Sequence, residues 1–445
     1  MQFLNLTPFD TMCFNGLDLE DGQFHVVVMK VGYELLPTDV PGNFVAQTVK
    51  EPVPLCLRDE YHGAVNESSV REESDLAHYK PRCDVIVRGS AHAPHGTAAT
   101  QWGVRIKVSS PRSSLQTISQ TAGLSAKLDL KPALDARYGE RWMIPLALSK
   151  PLFDSITAPQ VLLDKTLQIV GPREYHQRLA GWSLSTPQAT ARVPLRWEYA
   201  FGGSSVVRNP RHGQDPEAAE FLLNEVCFSN PLGCGWVENR YSDMLRKAGQ
   251  KALDRLPAPQ IEFPERPVQR PVMIRHPDQF DATNPDEFIR IAQGYDELPA
   301  GLGIVGRSWV PRLQMAGTYD ARWQRERWPL LPDDFDFGYW NCAPRDQQIE
   351  ALPPDACLEL WNLVDPALAP EGYLRVDLPG DWPLVYLHQD DGLCLPLPMT
   401  ADTLLVDTDA MTLTLTHRFQ FIRKSSIERV EARVRRLIDT SSASV

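Results

Sequence analysis

Residues 327–348, RWPLLPDDFDFGYWNCAPRDQQ, bring Asp333, Asp334 and Asp336 together with the rings of Trp328, Phe335, Phe337, Tyr339 and Trp340. Carboxylates at this spacing could hold calcium, form an acid and base pair, or cap turns in a rigid aromatic patch. The calcium reading fails on its own geometry. With Asp334 first in an EF-hand register, Asp336 is correctly third. Tyr339, however, stands sixth, where glycine makes the sharp turn, and Arg345 stands twelfth, where a bidentate glutamate is required. Asp334 and Asp336 would share one face of an extended segment, as an acid and base pair needs. Pro332, Pro344 and the dense rings describe instead an irregular, rigid segment whose aspartates accept from local backbone donors. Its rings, with Trp323 just upstream, are candidate contacts for another polypeptide.

Other residue groups could also do chemistry. SAHAPHG supplies His92 and His95 with Cys83 upstream, but Pro94 and Gly96 make this a turn, where helical geometry does not set side-chain directions. LLVDTDAMT places Asp407 and Asp409 at the end of a strand, after Asp402; this is a divalent-ion spacing and equally the spelling of a polar hairpin turn. Joined in space, His92, His95, Asp407 and Asp409 would make a metal-dependent hydrolase or transferase. Cys227 and Cys234 flank CFSNPLGC but lack a second close pair. No phosphate-cradling glycine loop is expected, since neither G-x-G-x-x-G nor G-x-x-x-x-G-K-[ST] is read along the chain, and G-x-S-x-G does not occur.

The elements that must position these residues are mostly strands. In WGVRIKV, Trp102, Val104, Ile106 and Val108 alternate with Arg105 and Lys107, the period of a half-wet antiparallel strand. RVPLRWEYAF reads the same way through Val193, Leu195, Trp197 and Tyr199. FHVVVMKVGYEL (24–35) is apolar on both faces, as a strand between two layers would be. Shorter strands follow at DVIVRG, KTLQIVG, YLRVDL and PLVYLH, with a hairpin from DTLLVD to MTLTLTHRFQF. Helical spacing marks DPEAAEFLLNEV, YSDMLRKAGQKALDRL and YDARWQRERW. Between Pro257 and Pro277 prolines are dense enough to forbid helix interior and central strand, which predicts a surface arm. Ile427, Val430, Val434, Leu437 and Ile438, behind Ser425 and Glu428 at capping-box spacing, predict a C-terminal amphipathic helix. The expected fold is mainly β with minor α. It comprises a β-rich lobe at 1–204, a helical and proline-rich connection at 205–310, a second antiparallel, sandwich-like lobe at 311–421, and a helix and tail at 422–445.

The chain has 445 residues, 43% hydrophobic and 23% charged, with a formal charge of −12. The composition is that of a globular protein, and the acidic balance argues against direct nucleic-acid binding. Arg433, Arg435 and Arg436 are the nearest approach to a basic patch. The N-terminus lacks the pattern of a secretory signal, no apolar run reaches membrane-spanning length, and eight cysteines without CxxC suit reduced thiols. A cytoplasmic protein with no cofactor is expected.

Five blocks carry a resemblance to a known family: EESDLAHYKPRCDVIVRGSAHAP (72–94), VPLRWEYAFGG (193–203), NPLGCGW (230–236), AGTYDARWQRERWPLLPDDFDFGYWNCAPRDQQ (316–348) and DTLLVDTDAMTLTLTHR (402–418). In this order they resemble a bacterial family catalogued as a domain of unknown function, DUF2169, and associated with type VI secretion. The resemblance implies a non-enzymatic adaptor or chaperone that binds a toxic effector in the cytoplasm and promotes its loading onto the VgrG spike with its PAAR tip. It carries over no catalytic residue. It also implies a glycine-type turn residue where His95 stands. As partner contacts it leaves Trp323, Trp328, Phe335, Phe337, Tyr339 and Trp340.

Overall fold

The computed structural model describes residues 1–20, 22–110, 160–178, 181–208, 222–238, 245, 249, 255–269, 272–274, 299–310, 312–423 and 426–436. Strands dominate. The two largest sheets are built from β1 (Gln2–Asn5), β2 (Asp10–Leu17), β3 (Gln23–Pro37), β4 (Asn43–Thr48), β5 (Cys83–Arg88), β6 (Gln101–Ser110), β7 (Gln160–Val170), β8 (Ile261–Glu262), β9 (Gln348–Ile349), β10 (Cys357–Trp361), β11 (Tyr373–Asp377), β12 (Asp381–Gln389), β13 (Cys394–Pro398), β14 (Thr400–Asp407), β15 (Thr412–Ile422) and β16 (Ile427–Arg436). The twelve-stranded sheet runs β8-β7-β6-β10-β11-β4-β3-β15-β14-β5-β9, with β2 added to β3, and the four-stranded sheet runs β1-β16-β12-β13.

The alternation read from the sequence explains the layers. Along β6, Trp102, Val104, Ile106 and Val108 are buried while Arg105 and Lys107 face outward to Asp164 and Glu359. In β3, Val26 to Met29 are wholly buried, because β2 and β15 flank the strand and both of its faces are covered. Val27, Met29 and Val31 share a core with Val385, Leu387, Leu395, Val430 and Ala432, so the small sheet packs on the large one. Each of these valine, leucine and methionine side chains contributes about 1.5–3 kcal/mol. The β14–β15 hairpin forms as expected.

Several expectations are corrected. The C-terminal amphipathic helix is strand β16, antiparallel to β12 and parallel to β1. Val430, Ala432 and Val434 also alternate with Glu431, Arg433 and Arg435, and the open edge of β12 selects that period of two over the helical stripe; Ser425, Leu437 and Ile438 lie outside the described residues. The stretches 1–204 and 311–421 contribute strands to one sheet, since β10 pairs β6 and β14 pairs β5. Within DPEAAEFLLNEV, Leu222–Val226 is a strand paired with Ser204–Arg208, and the rest lies outside the described residues, as does most of YSDMLRKAGQKALDRL. RVPLRWEYAF is a strand over Arg192–Pro194 and again where Phe201 opens the strand Phe201–Gly202. A 3-10 turn between them rotates Trp197 inward, where its indole donates to the Ile304 carbonyl at 2.6 Å. The proline-dense stretch is no surface arm where it is described: Ala258, Ile261 and Val268 are buried, and the Tyr175 hydroxyl donates to the Val268 carbonyl at 2.7 Å.

The AFGG and NPLGCGW blocks meet at Asn230, whose amide donates to the Trp197 and Phe201 carbonyls at 2.9 Å each. Gly202, at φ +143°, lies against the Asn230 carbonyl, and a Cβ there would collide with it. Gly202→Ala is therefore expected to cost more than about 1 kcal/mol in denaturant unfolding.

Candidate functional site

Helix α1 (Ala321–Glu326) opens the aromatic segment. Asp320 caps it by accepting from the Trp323 amide at 2.8 Å. The Trp323 indole donates to the Leu330 carbonyl at 2.9 Å, and the Arg327 guanidinium donates to the Leu331 carbonyl at 2.9 Å and pairs with Asp333 at 3.2 Å. These contacts fix the turn after the helix from inside and leave Trp328 on the outside, 67% exposed. Tyr319, 53% exposed, stands edge-on to Trp323 at 4.7 Å.

The following residues point the other way. Phe335 is buried and makes edge contacts with Phe337 at 5.4 Å and Tyr339 at 5.7 Å. Asp334 accepts from the Thr318 amide and hydroxyl, and Asp336 caps the turn at Phe337 by accepting from the Gly338 amide. Both are the backbone-capping aspartates that the sequence reading favoured. Gly317, at φ +78°, makes the reversal that brings Thr318 to Asp334. Trp340 packs at a tilt against His78, with ring centroids 5.4 Å apart, and lies under the Arg307 guanidinium at 5.5 Å. Of the six candidate rings, then, Phe335 belongs to the core and Trp323, Phe337, Tyr339 and Trp340 are half-buried. Trp328 alone among them is presented outward. Tyr319 was missed because one ring beside a helix start carries no distinctive spacing.

What holds this segment is the block 72–88, whose charges turn inward. Glu73 accepts from Arg312 at 2.9 Å and from Arg307 at 2.7 Å, while Arg312 also donates to the Tyr339 and Val305 carbonyls, each at 2.7 Å. Asp84 accepts from the Cys342 and Ala343 amides at 3.0 and 3.1 Å and pairs with Lys80 at 2.9 Å. Burial favours the neutral amine of Lys80, but Cys342, Asp84 and Asp402 outweigh it and hold the proton on. Around them Arg418 pairs with Asp402, Arg88 with Asp407, and Lys30 with Glu72 and Asp75. Buried charges are tolerated only when paired in this way.

His92 and His95 with Asp407 and Asp409 do not form one centre. Asp407 takes Arg88 at 2.6 Å and caps the hairpin turn through the Asp409 and Ala410 amides. Asp409 takes Arg192 at 2.7 Å and Ser90 at 3.3 Å. His92 is buried, and burial lowers its pKa against the pull of Asp365 and Asp409. His95 is exposed and left-handed, at φ +55°, in the turn position where the resemblance implies glycine. Among the described residues no three His, Cys, Asp or Glu side chains could together hold a metal ion. All eight cysteines are free thiols.

The expected absence of G-x-G-x-x-G is corrected, since residues 301–306 spell that run. It opens no helix among the described residues. Gly301 lies against the Trp197 ring and Gly306 against the Trp309 indole, so both glycines make room for rings.

A cavity of about 180 Å³ lies between the two sheets, lined in part by Lys80, Trp382, Asp402, His417 and Arg418. Burial lowers the His417 pKa from 6.5 to about 4, against the pull of Asp402 and Asp381. Between those values the unfolded chain binds a proton that the folded chain refuses, so this contribution to stability is complete above pH 6.5 and lost as pH falls toward 4. Between pH 6.5 and 5 the wild type is expected to lose about 1.5 kcal/mol more than His417→Asn in denaturant titrations.

A family profile described as "Uncharacterized protein conserved in bacteria (DUF2169)" matches residues 20–122 and 153–418. No curated protein and no solved structure matches the chain.

Proposed function

The chain belongs to the bacterial family DUF2169, and we propose that it is a non-enzymatic adaptor of type VI secretion. It holds a cognate toxic effector in the cytoplasm and promotes the effector's loading onto the VgrG spike and its PAAR tip. The observation that supports this reading is the Trp328 indole, exposed on a turn fixed by Trp323, Arg327 and Asp333. Exposing an indole leaves apolar surface in water, and fixing the backbone turn that carries it lowers the entropy lost when a partner covers it. Trp323 and Tyr319 extend the same patch, and an interface of about 1,200–2,000 Å² would centre on such rings. The charge of −12 favours an effector with a basic surface.

Co-expression with the protein encoded beside it tests the reading. The expected result is a complex that survives size exclusion and that passes the effector to purified VgrG with PAAR. Failure to co-purify with any neighbouring product would defeat it.

No helix among the described residues is long and apolar enough to cross a membrane.

A further inference from the structure

We propose that the outer edge of β2 is a docking edge, to which an extended segment of the partner polypeptide adds as a further strand of the large sheet. Among the described strands, β2 pairs with β3 on one side only. Among the described residues, 11–17 make no backbone hydrogen bond other than those to β3. Successive peptide groups of a strand point to opposite sides, so about half of the groups in these eight residues face away from β3, with no backbone partner among the described residues.

The other ends of the two large sheets are protected. Strands β8 and β9 have two residues each, β1 has four, and β13 carries Pro396 and Pro398. Edge strands are ordinarily blunted by shortness, proline, or charge along the edge. DTMCFNGL has eight residues, no proline and no basic residue, and its side chains are mostly half-exposed.

Only another backbone supplies donors and acceptors at the spacing of a strand edge, so the occupant is an extended peptide. Its side chains would alternate between the two faces of β2. One face continues Met12 and Phe14 toward His78, whose ring lies 6.4 Å from Phe14 and 5.4 Å from Trp340. Apolar or aromatic residues at every second position suit that face. The edge is also continuous with the Trp328 surface, because Arg327 donates to the Leu19 carbonyl at 3.4 Å, two residues beyond β2. The identity of the occupant as a segment of the effector rests on the adaptor reading; the open edge does not.

Hydrogen exchange of the full chain tests this in two arms, one with the co-expressed neighbouring protein and one with ten-residue peptides selected from a displayed library. The expected result in either arm is slowing of the outward amides within 11–17 by roughly tenfold or more. Phe14→Pro and Asn15→Pro supply the control. One of these adjacent amides faces β3 and the other faces outward, and the variant that keeps its melting temperature is the outward one. That variant is expected to lose roughly tenfold or more in binding. Slowing with peptides but no complex with the neighbour supports the docking edge and counts against the adaptor reading. A complex without slowing at 11–17, no slowing in either arm, or a free chain already protected there by dimerising overturns the docking edge.

Discussion

Glu73→Ala is expected to lower the unfolding free energy by about 3–5 kcal/mol, read from denaturant titration at neutral pH. The Glu73 carboxylate is almost wholly buried and faces two guanidinium groups, Arg312 and Arg307. Arg312 is 1% exposed and cannot turn to water when its partner is removed. A buried cation left without its carboxylate partner, its hydrogen bonds reduced to the carbonyls of Val305 and Tyr339, is the costly state, far costlier than losing an exposed pair. Glu73→Ala with Arg312→Met is expected to recover part of the loss, since it removes both charges. The pH dependence has a definite sign. Burial tends to raise the Glu73 pKa, but Arg312 and Arg307 outweigh it and hold the carboxyl below its usual value. Its contribution is therefore complete above the unfolded carboxylate value and lost as pH falls through the lower folded one. The gap between wild type and Glu73→Ala should narrow in acid; a gap independent of pH would count against the ion-pair account.

Trp328→Ala is expected to do the reverse: leave the fold within about 0.5 kcal/mol of wild type and weaken effector binding by about 2–4 kcal/mol, roughly 30-fold to 1,000-fold. The indole is 67% exposed, so truncating it leaves no cavity. Calorimetric titration of the effector with folded variant reads the binding term, and thermal melting reads the stability term. Trp340→Ala serves as the contrasting variant. Its ring lies between His78 and Arg307, so its truncation should lower stability first. Equal binding by wild type and Trp328→Ala would remove this ring from the interface.

Where alternation was strict, local pattern and tertiary structure agree. Strand β6, the β14–β15 hairpin and the doubly buried β3 all follow from side chains that repeat every second residue or are apolar throughout. The roles of Asp334 and Asp336 were legible for the same reason, since capping is settled within two to sixteen residues of chain. His95 likewise sits in a turn that its neighbours Pro94 and Gly96 specify.

Order in one dimension was enough for the β class, the strand faces and the capped turns, because each depends on interactions between residues close in the chain. It could not choose between helix and strand for 427–436, where both periods are present and the edge of β12 decides. Nor could it show that β10 lies beside β6 or that Glu73 meets Arg312, because such pairs are separated by hundreds of residues and no spacing marks them. The outward turn of Trp328 among so many rings is of the same kind. Which ring is left in water depends on which partners the rest of the chain brings to the others, and that is settled only when the sheets close on one core.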